Sequence, residues 1–141
     1  MTKTLLFDQN YSRKLRPHYE EQGFQVTLLK EVGLYGVFNG TLLAAAEGRW
    51  DVLVTMDVNL PFENDMRGRK ISVLIAMVHL DKIPFHLPYL PTAYEIIRHM
   101  QPGDIEYVGE PGRIAVQKYR WQLLKEQQAQ GSARIPPKRV F

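Results

Sequence analysis

Five short apolar runs punctuate the chain: Thr4 to Phe7 (TLLF), Gln25 to Leu29 (QVTLL), Val52 to Thr55 (VLVT), Ile71 to Met77 (ISVLIAM) and Ile105 to Val108 (IEYV). Such runs are too short for buried helices, and their near-continuous apolarity fits strands covered on both faces. Segments with helical patterns lie between them. Strand–helix alternation of this kind requires a mainly parallel sheet with helices on both sides, so the expected fold is α/β, a three-layer α/β/α sandwich. Ligands of such sheets bind beyond the carboxyl ends of the strands, and those ends are where chemistry is sought.

The helical segments have readable limits. Asn10 or Ser12 caps a helix that runs to about Gln22, with Leu15 and Tyr19 on one face and Gly23 ending it. A glycine-punctuated loop from Glu31 to Gly40 leads to a short alanine-rich helix, Thr41 to Glu47. Leu60 to Met66 makes one or two turns, with Pro61 suited to a first-turn position. The stretch around Pro84, Pro88 and Pro91 reads as irregular and leads into a helix from about Thr92 to Met100. A last helix spans Arg113 to about Gln130, with an apolar stripe of Val116, Tyr119 and Leu123 and with Trp121 and Leu124 on its flank. That stripe packs either on the sheet or on a partner. Residues 1–110 are read as one domain, 111–130 as a C-terminal helix and 131–141 (GSARIPPKRVF) as a basic flexible tail.

Composition removes several chemistries. The chain has no cysteine, which excludes disulfides, cysteine-ligated zinc, iron–sulfur clusters and thiol nucleophiles. The histidines (His18, His79, His86, His99) show no zinc-binding spacing, no serine sits in a GxSxG setting, and neither GxGxxG nor a P-loop occurs. No apolar run is long enough for a membrane span and the first residues lack a signal-peptide core, so a soluble, cytoplasmic protein is expected. Charge is unevenly spread. Residues 112–141 carry seven Lys/Arg against Glu126 alone, a net +6, whereas residues 1–111 carry a net −3. A basic extension on a mildly acidic body suits an anionic partner such as nucleic acid, although basic tails are also often only solvated.

Two strands end alike. Leu5-Leu6-Phe7 is followed by Asp8-Gln9-Asn10, and Val52-Leu53-Val54-Thr55 is followed, after Met56, by Asp57-Val58-Asn59. If the two strands are neighbours, both carboxylates meet at one edge of the sheet. Paired hard oxygen donors suit Mg²⁺ or Mn²⁺, which keep several waters and bind bridging phosphates. The plainer alternative is that each Asp makes an Asx turn or caps a helix. Asn10 and Asn39 read most simply as helix caps and Asn59 as a turn residue. Thr55 could hydrogen-bond a carboxylate or serve only as a β-former, and Asn64 could turn toward the same cleft or face water. Glu31 could supply a third acid or sit in a solvated loop.

The residues LLFDQNYSRKL (5–15), GFQVTLLKEVGLYGVFNGTLL (23–43), RWDVLVTMDVNLPFENDMRGRKISVLIAM (49–77) and IIRHMQPGDIEYVG (96–109) resemble the PIN-like domain proteins of a bacterial family related to VapC-type toxins and the Mut7-C group. Residues 110–141 have no counterpart in that family. The resemblance implies a metal-dependent ribonuclease, with Asp8 and Asp57 as the acids that hold Mg²⁺ or Mn²⁺. It further implies that Asn10, Asn39, Asn59 and Asn64, with Thr55, orient the metal or the phosphate. RNA is then the substrate, and a small antitoxin protein or a second copy of the chain is a partner. Related proteins commonly carry Asp where Asn39 and Asn59 stand, and a neutral amide oxygen binds a metal more weakly than a carboxylate does. The competing expectation is a catalytically degenerate PIN-like module that binds RNA or a protein without cutting.

Overall fold

The computed structural model describes residues 2–129. The five apolar runs form strands β1 (Thr4–Phe7), β2 (Gln25–Leu28), β3 (Val52–Thr55), β4 (Ser72–Met77) and β5 (Ile105–Gly109). They make one sheet in the order β2-β1-β3-β4-β5, with every neighbouring pair parallel. The helices are α1 (Arg16–Glu21), α2 (Asn39–Ala46), α3 (Leu60–Glu63), α4 (Ile83–His86), α5 (Leu90–His99) and α6 (Pro111–Ala129).

Alternation along the strands divides the buried side chains between two cores. Leu5, Phe7, Val52, Val54, Leu74, Ala76 and Val108 pack with Leu15 and Tyr19 at α1 and with Ala93, Tyr94 and Ile97 of α5. Leu6, Leu53, Val73, Ile75, Met77, Ile105 and Tyr107 pack with Leu42, Leu43 and Ala46 of α2, Leu60 of α3 and Trp121 and Leu124 of α6. All six residues of β4 are buried, as the two-sided cover of a parallel sheet demands. Each fully buried Leu, Ile, Val or Phe contributes about 1.5–3 kcal/mol, and both layers are filled with them. The fold is the expected three-layer α/β/α sandwich.

Several local expectations are corrected. The first helix begins later: Ser12 accepts from the Lys14 N–H at 3.2 Å and caps a 3-10 turn, Arg13–Leu15, that precedes α1. Leu29 leaves the second strand and opens a 3-10 turn, Leu29–Val32. The proline-rich stretch is helical rather than irregular, as α4, a 3-10 turn (Leu87–Tyr89) and α5. Pro84, Pro88 and Pro91 each lie in the first turn of one of these elements, where a missing N–H costs nothing.

For α6 the structure excludes one of the two readings of its stripe: Val116, Tyr119 and Leu123 do not pack on the sheet but face solvent, exposed at 59%, 64% and 40%. The helix docks instead through Trp121, Leu124 and the buried Gln117, with Ile114 packed alongside. Trp121 wins that contest because its large ring removes most apolar area from water and its N–H finds a buried acceptor, the Tyr107 hydroxyl at 2.8 Å. Among the described residues no helix is long and apolar enough to cross a membrane. The expected basic tail at 131–141 lies outside the described residues.

Candidate functional site

The strand order places a topological switch point between β1 and β3, because the chain runs outward to β2 on one side and to β4 and β5 on the other. Phe7 pairs with Val54 at the carboxyl ends of these two strands. The Asp8 N–H extends the ladder by donating to the Val54 carbonyl at 2.9 Å. Asp8 therefore stands beside Thr55, and Asp57 follows two residues later on the adjoining strand end.

Thr55 joins the two acids. It is fully buried and donates its hydroxyl proton to Asp8 Oδ2 at 2.7 Å. The Thr55 hydroxyl oxygen in turn accepts the Asp57 N–H at 3.0 Å. Asp8 Oδ1 accepts the Gln9 N–H at 2.8 Å. The Asp8 side chain is almost wholly buried, and burial pushes its carboxyl above the ordinary value. Hydrogen bonds from Thr55 and from the Gln9 N–H oppose that rise, and the neighbouring Asp57 charge adds to it. Asp8 thus sits where a cation would relieve the cost of its ionised form.

Asp57 is half-buried and doubly held. Its Oδ1 accepts the Asn59 N–H at 3.0 Å, an Asx turn that starts α3, and its Oδ2 accepts Asn39 Nδ2 at 2.7 Å. The Asx-turn reading of this Asp holds for one carboxylate oxygen, while the other meets the Asn39 amide. Asn39 is not a cap: Phe38 occupies the cap position of α2, and the Asn39 amide reaches across to Asp57.

Asn10 is not a cap either. Its Oδ1 accepts the Met56 N–H at 3.0 Å and bridges the end of β1 to the end of β3. Asn59 occupies the cap position of α3, but its side chain makes no capping bond and accepts instead from Arg120 at 2.9 Å. Asn64 is half-buried and turned inward. Its amide N–H donates to the Leu60 carbonyl at 2.8 Å, and its Oδ1 lies 3.3 Å from where a Cβ on Gly40 would stand. Glu31 belongs elsewhere, in an ion pair with Arg16 at 2.9 Å.

Among the described residues, no three His, Cys, Asp or Glu side chains come together as a metal-binding group. The site holds two carboxylates with neutral amides around them. That set suits a hard divalent ion that takes one or two carboxylates and fills its octahedron with water and phosphate oxygens. Each carboxylate oxygen has a lone pair left beyond the hydrogen bond it accepts.

The sequence reading missed one wall of the site. Gln117 Nε2 donates to the Val58 carbonyl at 3.0 Å, and Trp121 stacks on Phe62 of α3 with ring centroids 4.3 Å apart. Helix α6 therefore clamps residues 58–62, the turn that carries Asp57 into α3. The available signal was the spacing of Ile114, Gln117, Trp121 and Leu124, a second helical stripe with a tryptophan at its centre. Comparisons with protein-family models, with curated proteins and with solved structures found no match for the chain.

Proposed function

We propose that this protein is a PIN-like, metal-dependent endoribonuclease that cuts RNA at the switch point between β1 and β3. The observation that supports it most is the pairing of Asp8 and Asp57 at adjoining strand ends through the buried Thr55 hydroxyl. Asp8 and Asp57 would hold Mg²⁺ or Mn²⁺, and the ion would supply an activated water and neutralise charge on the phosphodiester. Thr55 fixes the rotamer of Asp8, Asn39 fixes that of Asp57, and Asn10 keeps the two strand ends in register. Asn59 and Asn64 would serve from the α3 side, where Asn59 is held by Arg120 and Asn64 by the Leu60 carbonyl. An RNA substrate puts the work of such an enzyme in the cytoplasm. The exposed stripe Val116, Tyr119 and Leu123 leaves a face on which a small antitoxin or a second copy of the chain would dock.

One observation favours a second function, an RNA- or protein-binding module that does not cut. The acids number two, and the positions beside them hold Asn39 and Asn59. A cleavage assay on mixed single-stranded RNAs, with Mg²⁺, with Mn²⁺ and with chelator, separates the two. The nuclease requires metal-dependent products that Asp8→Ala and Asp57→Ala each abolish while the far-UV circular dichroism stays native. Binding without products in either metal assigns the module. If both variants unfold on purification, the acids are structural turn residues and the nuclease is excluded.

A further inference from the structure

Arg120 reaches the edge of this site from α6. Its Nη2 donates to Asn59 Oδ1 at 2.9 Å and its Nη1 to Gln117 Oε1 at 2.9 Å. Its guanidinium carbon lies 3.9 Å from the centre of the Phe62 ring. Both oxygens belong to neutral amides. Arg16, Arg67, Arg98 and Arg113 each pair with a carboxylate; among the described residues none lies within ion-pair distance of Arg120, as is also true of Arg13, Arg49 and Arg69, so its position beside the site is what distinguishes it. A guanidinium carries five N–H donors in a rigid fork. Two are used, and the others remain for an anion.

The placement is as informative as the charge. The amide that holds Arg120 belongs to Asn59, whose own N–H holds the Asp57 carboxylate at 3.0 Å. The cation is thus linked to Asp57 through the single residue Asn59, stacked and tethered before any ligand arrives. Pre-ordering reduces the side-chain entropy that binding must offset.

We propose that Arg120 is a phosphate-binding residue of the site, contacting the nucleic-acid backbone at a phosphate adjacent to the one that is cut. The inference rests on the ribonuclease function proposed above, and it brings α6 into the substrate groove. The ligand chemistry is a phosphodiester anion, offered by RNA or by DNA.

The test uses the full chain with fluorescently labelled single-stranded RNA and DNA of one sequence. Affinity is measured against salt in Ca²⁺ or chelator, and cleavage in Mg²⁺ or Mn²⁺. Arg120→Met keeps the stem on Phe62 and removes the charge. It should weaken RNA binding about tenfold or more, the scale of one charged hydrogen bond. Its log–log salt slope should be shallower by about 0.7, the value for one single-strand phosphate. Arg120→Lys should restore the slope but only part of the affinity. Oligonucleotides with one phosphate at a time replaced by neutral methylphosphonate add a readout that packing cannot imitate. Arg120→Met should lose its effect at one position beside the cut and keep it elsewhere. Stronger binding of RNA than of DNA assigns the substrate to RNA, and equal binding assigns the contact to the backbone alone. A folded Arg120→Met with wild-type affinity and slope overturns the inference while leaving cleavage by Asp8 and Asp57 intact. If Arg120→Met fails to fold, Arg120→Lys decides in the same cycle, where additivity at every phosphate overturns the inference. Failure of the wild-type chain to bind either nucleic acid overturns both proposals.

Discussion

Replacing Trp121 by alanine tests whether α6 belongs to the domain or merely extends from it. The indole is 1% exposed, stacks on Phe62 at 4.3 Å and donates to the Tyr107 hydroxyl at 2.8 Å. Truncating a fully buried tryptophan costs about 3–5 kcal/mol, from lost transfer energy and the cavity left behind. The whole stability of a domain is about 5–15 kcal/mol. For a chain of 141 residues, each kcal/mol moves the melting midpoint by about 3–5 °C, so Trp121→Ala should melt about 9–25 °C lower. Trp121→Phe, which keeps an aromatic ring against Phe62 and loses the hydrogen bond, should cost about 1–2 kcal/mol. Serine at Val116, Tyr119 or Leu123 should each change stability by less than about 0.5 kcal/mol, because those side chains already face water. Urea unfolding followed by far-UV circular dichroism measures all five variants. A loss below about 1 kcal/mol for Trp121→Ala, or a larger loss for the stripe variants, would refute the docking and restore the stripe as the packed face.

Two further predictions follow from single residues. Burial raises the Asp8 carboxyl, so the folded state prefers its neutral form; that contribution is fully present below the unfolded value and is lost as pH rises through the raised one. Asp8→Asn should therefore melt above the wild type at pH 7 in chelator, with the gap closing as pH falls below about 4, and millimolar Mg²⁺ should raise only the wild type; a lower midpoint for Asp8→Asn at every pH would show that the hydrogen bonds to the charged form outweigh burial. Gly109 has φ +136° and a Cβ there would overlap the Met77 carbonyl oxygen of β4. Gly109→Ala should lose about 2–4 kcal/mol in the same urea assay, and a near-neutral result would mean that the edge between β4 and β5 opens readily.

The sequence alone determined the five strands and the layering, though not every helical turn between them. Strands four to six residues long were legible because two-sided burial writes itself as continuous apolar runs, and parallel pairing follows from the helices between them. It also determined that Asp8 and Asp57 each stand just past a strand end, since that is a local property of the chain. Only the tertiary structure decided that β1 and β3 are neighbours, and without that adjacency the two acids would not meet. It likewise decided the work of the asparagines. Read locally, Asn10 and Asn39 are caps; in the fold their best partners, the Met56 N–H and the Asp57 carboxylate, lie 46 and 18 residues away. Helix α6 shows the same limit. Two stripes of similar apolarity run along it, and helical periodicity cannot rank them. The choice falls to the partner surface, where Tyr107 and Phe62 offer an acceptor and a ring face to Trp121 and offer nothing comparable to Tyr119. Side-chain partners far apart in the chain are set by which strands lie side by side, and strand order is a long-range choice that no single segment records.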